Sequence, residues 1–377
     1  MVLVILKTDG MFMRNLCAII LACVMLGCGC TSSIEVQNRG IAMRASLGEV
    51  LLEESVPTKA VNNVNADPYT GTPSGSNPLE AALWFSYTPG LYSHNPQLPQ
   101  YLPCATTVTY ASAVATDIRC GNQVIQYPIA TDINYNQVGD AVYCVGLYPD
   151  TGWGELTSAE VNSASHAING SEDLMFADQM LGTYSNNFGV QTFNHLLTWV
   201  KINLSATSMT AGSVWGDVKT VKIISPNKNV KIVFYAPVQK TDPLLASKVT
   251  YDGGAEEFLL ELPENKRLSI TSRTYGQAFC APPAVAALNS SGQYEYVSGG
   301  NPEGELGYIV RVETTKIPEK EIFVALKKED NTTPIENAGY AVGKLFVLNL
   351  HFNDIAVVEG VCTLTQWDDQ NSDIYLE

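Results

Sequence analysis

The chain has 377 residues, more than one typical domain, and its 46% hydrophobic content is enough to build sizeable cores. A formal net charge of −16, with no cluster of Lys and Arg, excludes a nucleic-acid binder, which needs a basic face. Charged residues amount to only 16% while Gly and Tyr are plentiful, a balance that favours many strands and turns over long solvated helices.

Residues 1–27 read as a leader outside the fold. Arg14 precedes an apolar run from Leu16 to Leu26, too short to span a bilayer and suited to the core of a signal peptide. Met11 and Met13 stand just before this run as alternative start residues. The run closes on Met25-Leu26-Gly27-Cys28, which resembles a lipobox, where a small residue precedes a cysteine that becomes acylated. Cys28 leaves the apolar core full length; Cys23 shortens it, and Cys30 is the third choice. Acylation makes the chain anchored rather than spanning. No later segment reaches the roughly 18 apolar residues of a transmembrane helix.

Residues 28–48 are an N-terminal linker with two arginines, Arg39 and Arg44, and weak strand character at Ile34, Val36 and Ile41. A first β-sandwich domain is expected over residues 49–184. Its strands are predicted at Ala81–Tyr87, Thr106–Tyr110, Val124–Tyr127 and Ala141–Leu147, short apolar pieces separated by turn signals. Ser158–Ile168 is expected to form a helical turn or a little more.

The stretch from Asp173 to Leu204 reads as the hinge into a second domain over residues 185–377. Asp173 and Asp178 flank four residues and lack metal-ligand spacing, so they are taken to bound a short connection. Beyond them Val200, Ile202 and Leu204 alternate with Trp199, Lys201 and Asn203, the period-2 signature of a half-buried strand. Val230, Ile232 and Phe234 repeat that pattern, and further strands are predicted at Phe258–Leu262, Tyr308–Val312 and Ile322–Leu326. The clearest hairpin comes last: Phe346, Leu348, Leu350 and Phe352 share a face, Asn353-Asp354 turns, and Ile355–Trp367 returns. A polar spacer from Asp368 to Asp373 then separates a short apolar tip, with Ile374 and Leu376 on one face.

No motif for nucleophilic, metal-assisted or nucleotide chemistry is present, so no catalytic residue, metal ligand or cofactor is assigned and the chain is expected not to be an enzyme. His195 and His351 lie in strand patterns and read as hydrogen-bonded structural histidines. The aromatic residues of Trp84–Tyr92 and Tyr148–Trp153 read as packing. Five cysteines follow the leader, an odd number that argues against a full disulfide framework. Cys144 and Cys362 read as buried small hydrophobes; for Cys104 and Cys120 the sequence leaves pairing open.

Three pieces, in order, carry a family likeness. They are Tyr143-Cys144-Val145-Gly146-Leu147-Tyr148-Pro149, then Asp173-Leu174-Met175-Phe176-Ala177 with Phe193-x-His195-x-Leu197, then Gly343–Leu348 through Trp367. Together they resemble the fimbrillins, the subunits of the type V pili on the outer membrane of certain Gram-negative bacteria. The resemblance implies an all-β fold of two tandem Greek-key-like, transthyretin-like β-sandwich domains behind a lipoprotein signal peptide. It also implies an outer-membrane lipoprotein at the cell surface that assembles into a fimbrium and supports adhesion. In that scheme a protease cuts after an arginine, the first strand is lost, and a neighbouring subunit fills the groove with its own strand. Carried over, Arg44-Ala45 is the processing junction, with Arg39-Gly40 second, and Ile374 and Leu376 are donor-strand candidates. The implied partners are other pilin subunits, the outer membrane through the lipid anchor, and a host or bacterial surface ligand, with stalk, anchor and tip roles all open. The competing reading is a monomeric surface lipoprotein that binds carbohydrate or host protein.

Overall fold

The computed structural model describes residues 43–47, 64, 66, 69, 76, 78–86, 90, 92, 104–110, 114–115, 118–120, 122–124, 141–157, 161–183, 188–235, 248–297, 303–355 and 358–365. All of them fall within one compact unit, Gly40–Glu377. In the first half the strands are β1 (Met43–Leu47), β2 (Leu79–Ser86), β3 (Cys104–Tyr110), β4 (Val114–Ala115), β5 (Arg119–Cys120), β6 (Gln123–Val124), β7 (Val142–Tyr148) and β8 (Gly154–Thr157). Next come β9 (Val161–Ala167), β10 (Met175–Gly182), β11 (Val190–His195), β12 (Thr198–Ala206), helix α1 (Met209–Trp215), β13 (Val218–Ser225), β14 (Asn229–Tyr235) and β15 (Lys248–Asp252). The last are β16 (Glu256–Leu259), β17 (Arg273–Cys280), β18 (Ala284–Leu288), β19 (Tyr294–Tyr296), β20 (Leu306–Thr314), β21 (Lys320–Ala325), β22 (Leu345–Phe352) and β23 (Val358–Thr365). The fold is all-β.

The first sheet runs β3-β2-β7-β10-β11-β1-β4. β2 and β7 are apolar almost without a break because both of their faces are buried. On one face Trp84 and Phe176 meet Phe234 of β14, at ring-centroid distances of 6.0 and 6.2 Å. β14 belongs to a second sheet, β15-β14-β9-β8. On the other face Leu83, Phe85, Cys144 and Met175 form a separate, smaller core with Phe193 of β11.

The second half pairs a sheet β17-β12-β22-β23 with a sheet β16-β13-β20-β18-β19, in which β21 also pairs β20. β12 is central to the former, antiparallel to β17 and parallel to β22. Val200, Ile202 and Leu204 are buried as their alternation predicts, and so are Phe346, Leu348, Leu350 and Phe352. They belong to one apolar cluster that extends from Trp84 to Cys362, across the predicted boundary at 184/185.

Two expectations are corrected. Of the stretch Ser158–Ile168, the described residues 161–168 are not helical: β9 pairs β8 on one side and β14 on the other, burying Ala164, His166 and Ile168 at period two. Its Ser, Ala and His are small or polar, so the strand carries no apolar alternation. The last hairpin turns through residues 353–357 rather than two residues, since Phe352 stands opposite Val358. Asn353 Oδ1 accepts from the Ile355 amide at 3.2 Å and shapes that longer turn. Helix α1 was not legible in advance. Ser208 caps it by accepting from the Ala211 amide at 3.0 Å, and Gly216 ends it at φ 79°.

On the outer face of the second sandwich Lys222 and Arg311 stand directly opposite each other on β13 and β20. Like charges at that spacing repel. Carboxylates hold them: Glu257 lies 3.0 Å from Lys222 Nζ and 2.7 Å from Arg311 Nη1, and Glu321 lies 2.7 Å from Arg311 Nε. Burial acts to raise the Glu257 carboxyl, but the hydrogen bonds from Lys222 and Arg311 outweigh it and hold the group below its usual range. A carboxyl lowered in the folded state stabilises above its unfolded pKa, and the contribution is lost as pH falls through the folded value. Glu257→Gln should therefore cost on the order of 1 kcal/mol near neutrality, because solvent screens a half-exposed network. Urea unfolding at falling pH should show the gap to wild type closing in the acid range. A gap independent of pH contradicts this account.

Candidate functional site

β1 is the first described strand, and it joins the sheet between β11 and β4. β1 contributes five residues, lies parallel to β11 and antiparallel to β4, and is far in sequence from both. Its register sets Arg44 opposite Val190, Ala45 opposite Gln191, Ser46 opposite Thr192 and Leu47 opposite Phe193. On the other side Met43 faces Ala115 and Arg44 faces Val114. Arg44 and Ala45, the junction implied by the family likeness, therefore sit inside a paired strand. Without β1, the β11 edge would present unpaired backbone donors and acceptors.

β11 explains what such a strand covers. Its residues alternate between solvent and core, with Gln191, Phe193 and His195 buried and Val190 48% exposed. Phe193 crosses above Gly146 of β7, where a Cβ would lie 2.6 Å from the ring. Gly146 is thus required by close approach and not by its φ. Beside it the buried Gln191 carboxamide accepts from the Tyr110 hydroxyl at 3.4 Å, and its Nε2 lies 3.8 Å from Cys144 Sγ. Burial pushes both the Tyr110 hydroxyl and the Cys144 thiol up, which keeps them neutral inside this core. The cluster can fix β11 in register, but it has no arrangement for catalysis.

At the end of β11 His195 Nδ1 lies 2.7 Å from Asp173 Oδ2, and both side chains are almost wholly buried. Asp173 stands two residues before β10, and the Leu196 amide donates to the Leu174 carbonyl at 2.8 Å, so this pair ties the exit of β11 to the entry of β10. The reading of Asp173 and Asp178 as the bounds of a connection is corrected. Asp178 lies within β10, at a register shift between Ala177 and Met180, and accepts from the Gln179 amide at 2.7 Å. Gln179 in turn accepts from the Tyr92 hydroxyl at 2.7 Å. His195 is a structural histidine, and His351 contacts Ser205 Oγ at 2.8 Å through Nδ1. Among the described residues no group of three or more His, Cys, Asp and Glu could hold a metal ion.

Cys28, Ile374 and Leu376 lie outside the described residues, as do residues 125–127 of the strand predicted at Val124–Tyr127. No sequence pattern links Gln191, Gly146 and the Asp173–His195 pair. The period-2 pattern of Val190–His195 was present, but its inward face carries a glutamine and a histidine and does not read as apolar. Gly146→Ala should displace Phe193 and loosen β11, costing about 1–3 kcal/mol in urea unfolding. It should also make the Arg44-Ala45 bond more sensitive to an arginine-specific protease. Unchanged stability together with unchanged cleavage contradicts the close approach.

No protein-family model matches the chain, and no curated protein matches it. Among solved structures, a candidate cell adhesion protein from Bacteroides uniformis is similar over 88% of this chain and 100% of its own, at 13% identity and a TM-score of 0.46. A candidate cell adhesion protein from Bacteroides ovatus matches over 89% and 99%, at 13% identity and a TM-score of 0.41. A fimbrial protein from Bacteroides vulgatus matches over 76% and 92%, at 11% identity and a TM-score of 0.33.

Proposed function

We propose that the chain is a structural subunit of a type V pilus, exported as a lipoprotein acylated at Cys28 and assembled at the cell surface by strand exchange. The observation that carries this reading is the placement of β1. A five-residue strand, entering the sheet between β11 and β4, lies opposite the buried Gln191 and Phe193 and contains an arginine at its second position. A cut after Arg44 divides β1 and leaves Ala45–Leu47 with too few backbone bonds to hold the slot against a longer competing strand. A cut after Arg39 precedes β1 and leaves it whole. The two junctions thus have different consequences, and Arg44-Ala45 is the productive one.

A donor strand from another copy would restore the backbone pairing along β11, so exchange replaces bonds rather than losing them. Ile374 and Leu376, on one face of the terminal segment, are the proposed side chains of that donor. Partners on this reading are other pilin subunits, the outer membrane through the acyl anchor, and a surface ligand in adhesion. The role is structural, with no enzymatic step in the subunit itself.

Digestion of the full chain with an arginine-specific protease, followed by N-terminal sequencing and gel electrophoresis, tests the proposal. The expected product begins at Ala45 and forms an SDS-resistant, heat-sensitive ladder. A stable product beginning beyond residue 70, or one that stays monomeric, sinks the proposal. Deleting Ser372–Glu377 should leave folding and cleavage intact while abolishing the ladder. A ladder from the truncated chain would move the donor to another segment. Palmitate labelling should be lost in Cys28→Ala, and labelling that persists would move the acylation site to Cys23 or Cys30.

A further inference from the structure

The three most exposed large hydrophobic side chains among the described residues are Met209 at 80%, Ile355 at 75% and Ile270 at 62%. They come from three separate parts of the sequence, and the fold gathers those parts at one pole. The Thr207 amide donates to the Phe352 carbonyl at 2.9 Å, and the Ala206 amide donates to the Ser269 carbonyl at 2.7 Å. Trp215 of α1 packs on Phe352 with ring centroids 4.8 Å apart, and its Nε1 donates to the Asn353 carbonyl at 2.7 Å. The start of α1, the segment before β17 and the β22–β23 turn therefore form one surface with aliphatic tips.

Beside these tips stand Lys266 and Arg267, both exposed and neither in an ion pair with any described residue. They line a shallow hollow with Lys219 and Thr315 and with two carboxylates, Asp217 and Glu264. The acidic excess is uneven. Between Lys59 and Lys201 the sequence contains a single cation, Arg119, whereas the other sixteen cations beyond that point all follow residue 200. Glu80 and Glu172 are exposed in that cation-poor half.

The pole and the Asp173–His195 joint lie at opposite ends of β12. β12 leaves the Asp173–His195 joint at Thr198 and reaches α1 after Ala206, a rise of about 30 Å for nine residues.

We propose that this pole is a docking surface for a second copy of the chain, with Met209, Ile270 and Ile355 seated against the acidic first sandwich of the neighbour and Lys266 and Arg267 meeting its carboxylates. The contact joins two different surfaces, so it is heterologous and extends rather than closes. It rests on the reading of the chain as a polymerising subunit and adds the surface that orients two copies before a strand is exchanged. Charge complementarity favours another copy over a lipid surface, from which a net charge of −16 would be repelled wherever the lipids are anionic.

Sedimentation velocity of the full, uncleaved chain over a range of concentrations, at low and high salt, tests the contact. The expected result is open-ended association that weakens with salt, and that weakens about tenfold in Lys266→Glu/Arg267→Glu and in Met209→Asn/Ile270→Asn. All four side chains are exposed, so thermal unfolding of both variants should match wild type. Absence of association, a closed dimer, or equal association by the variants overturns the proposal. Capture of the chain by phosphatidylglycerol vesicles, abolished by Met209→Asn/Ile270→Asn, also overturns it, in favour of a membrane. The cleaved chain separates this contact from strand exchange. Normal SDS-resistant ladders alongside wild-type association of the variants remove the contact alone. Salt-sensitive association with no ladder removes strand exchange alone.

Discussion

The structure depends on the burial of one sheet from both sides. Apart from Glu80 near its start, β2 is buried on both faces, as is β7 up to Leu147, so each must find two apolar partners. Phe234 of β14 supplies one side and Phe193 of β11 the other. The first partner is distant in sequence and the second close, which knits the halves of the chain into one cluster and leaves a smaller core beside it. The smaller core is closed by thinner means. β11 crosses it, Gly146 makes room for the Phe193 ring, and the sheet is continued by β1 and β4, which offer only short pairing.

This imbalance connects stability with the proposed assembly. On the proposed reading, the backbone bonds of a short strand can be exchanged for those of another at small net cost, because a hydrogen bond between amides is worth little more than the one replacing it. β11 can receive either strand only if it keeps its own position when the slot is vacant. Two polar contacts serve that end: the buried Gln191 beside Tyr110 and Cys144, and the Asp173–His195 pair where β11 leaves for β12. Buried polar groups such as these fix a register more than they add stability.

Much of the second half was legible from residue order alone. β14 alternates, β12 and β22 do so through their middles, and the structure buries the faces that alternation marks; Trp199 of β12, on the opposite face, is buried as well. β9 was misjudged because Ala164, Ser163 and His166 bury without being apolar enough to show a period. Helix α1 is seven residues long and leans on Trp215, too short for a helical periodicity to stand out. At the candidate site Arg44-Ala45 was legible only through a family likeness. The pairing of Asp173 with His195 arises from a hairpin that brings together residues with no local pattern in common. The same holds for Gly146 beneath Phe193, since a close approach between strands leaves no periodic trace.

The claim that β1 is a replaceable strand is tested most directly by amide hydrogen exchange at Val190–His195. In the intact chain the amides of this strand that face β1 should be protected. They should exchange rapidly once residues up to Arg44 are removed from the isolated subunit, and regain protection in the assembled polymer. Protection that is unchanged by the cut after Arg44, or that is not regained on assembly, would contradict the account.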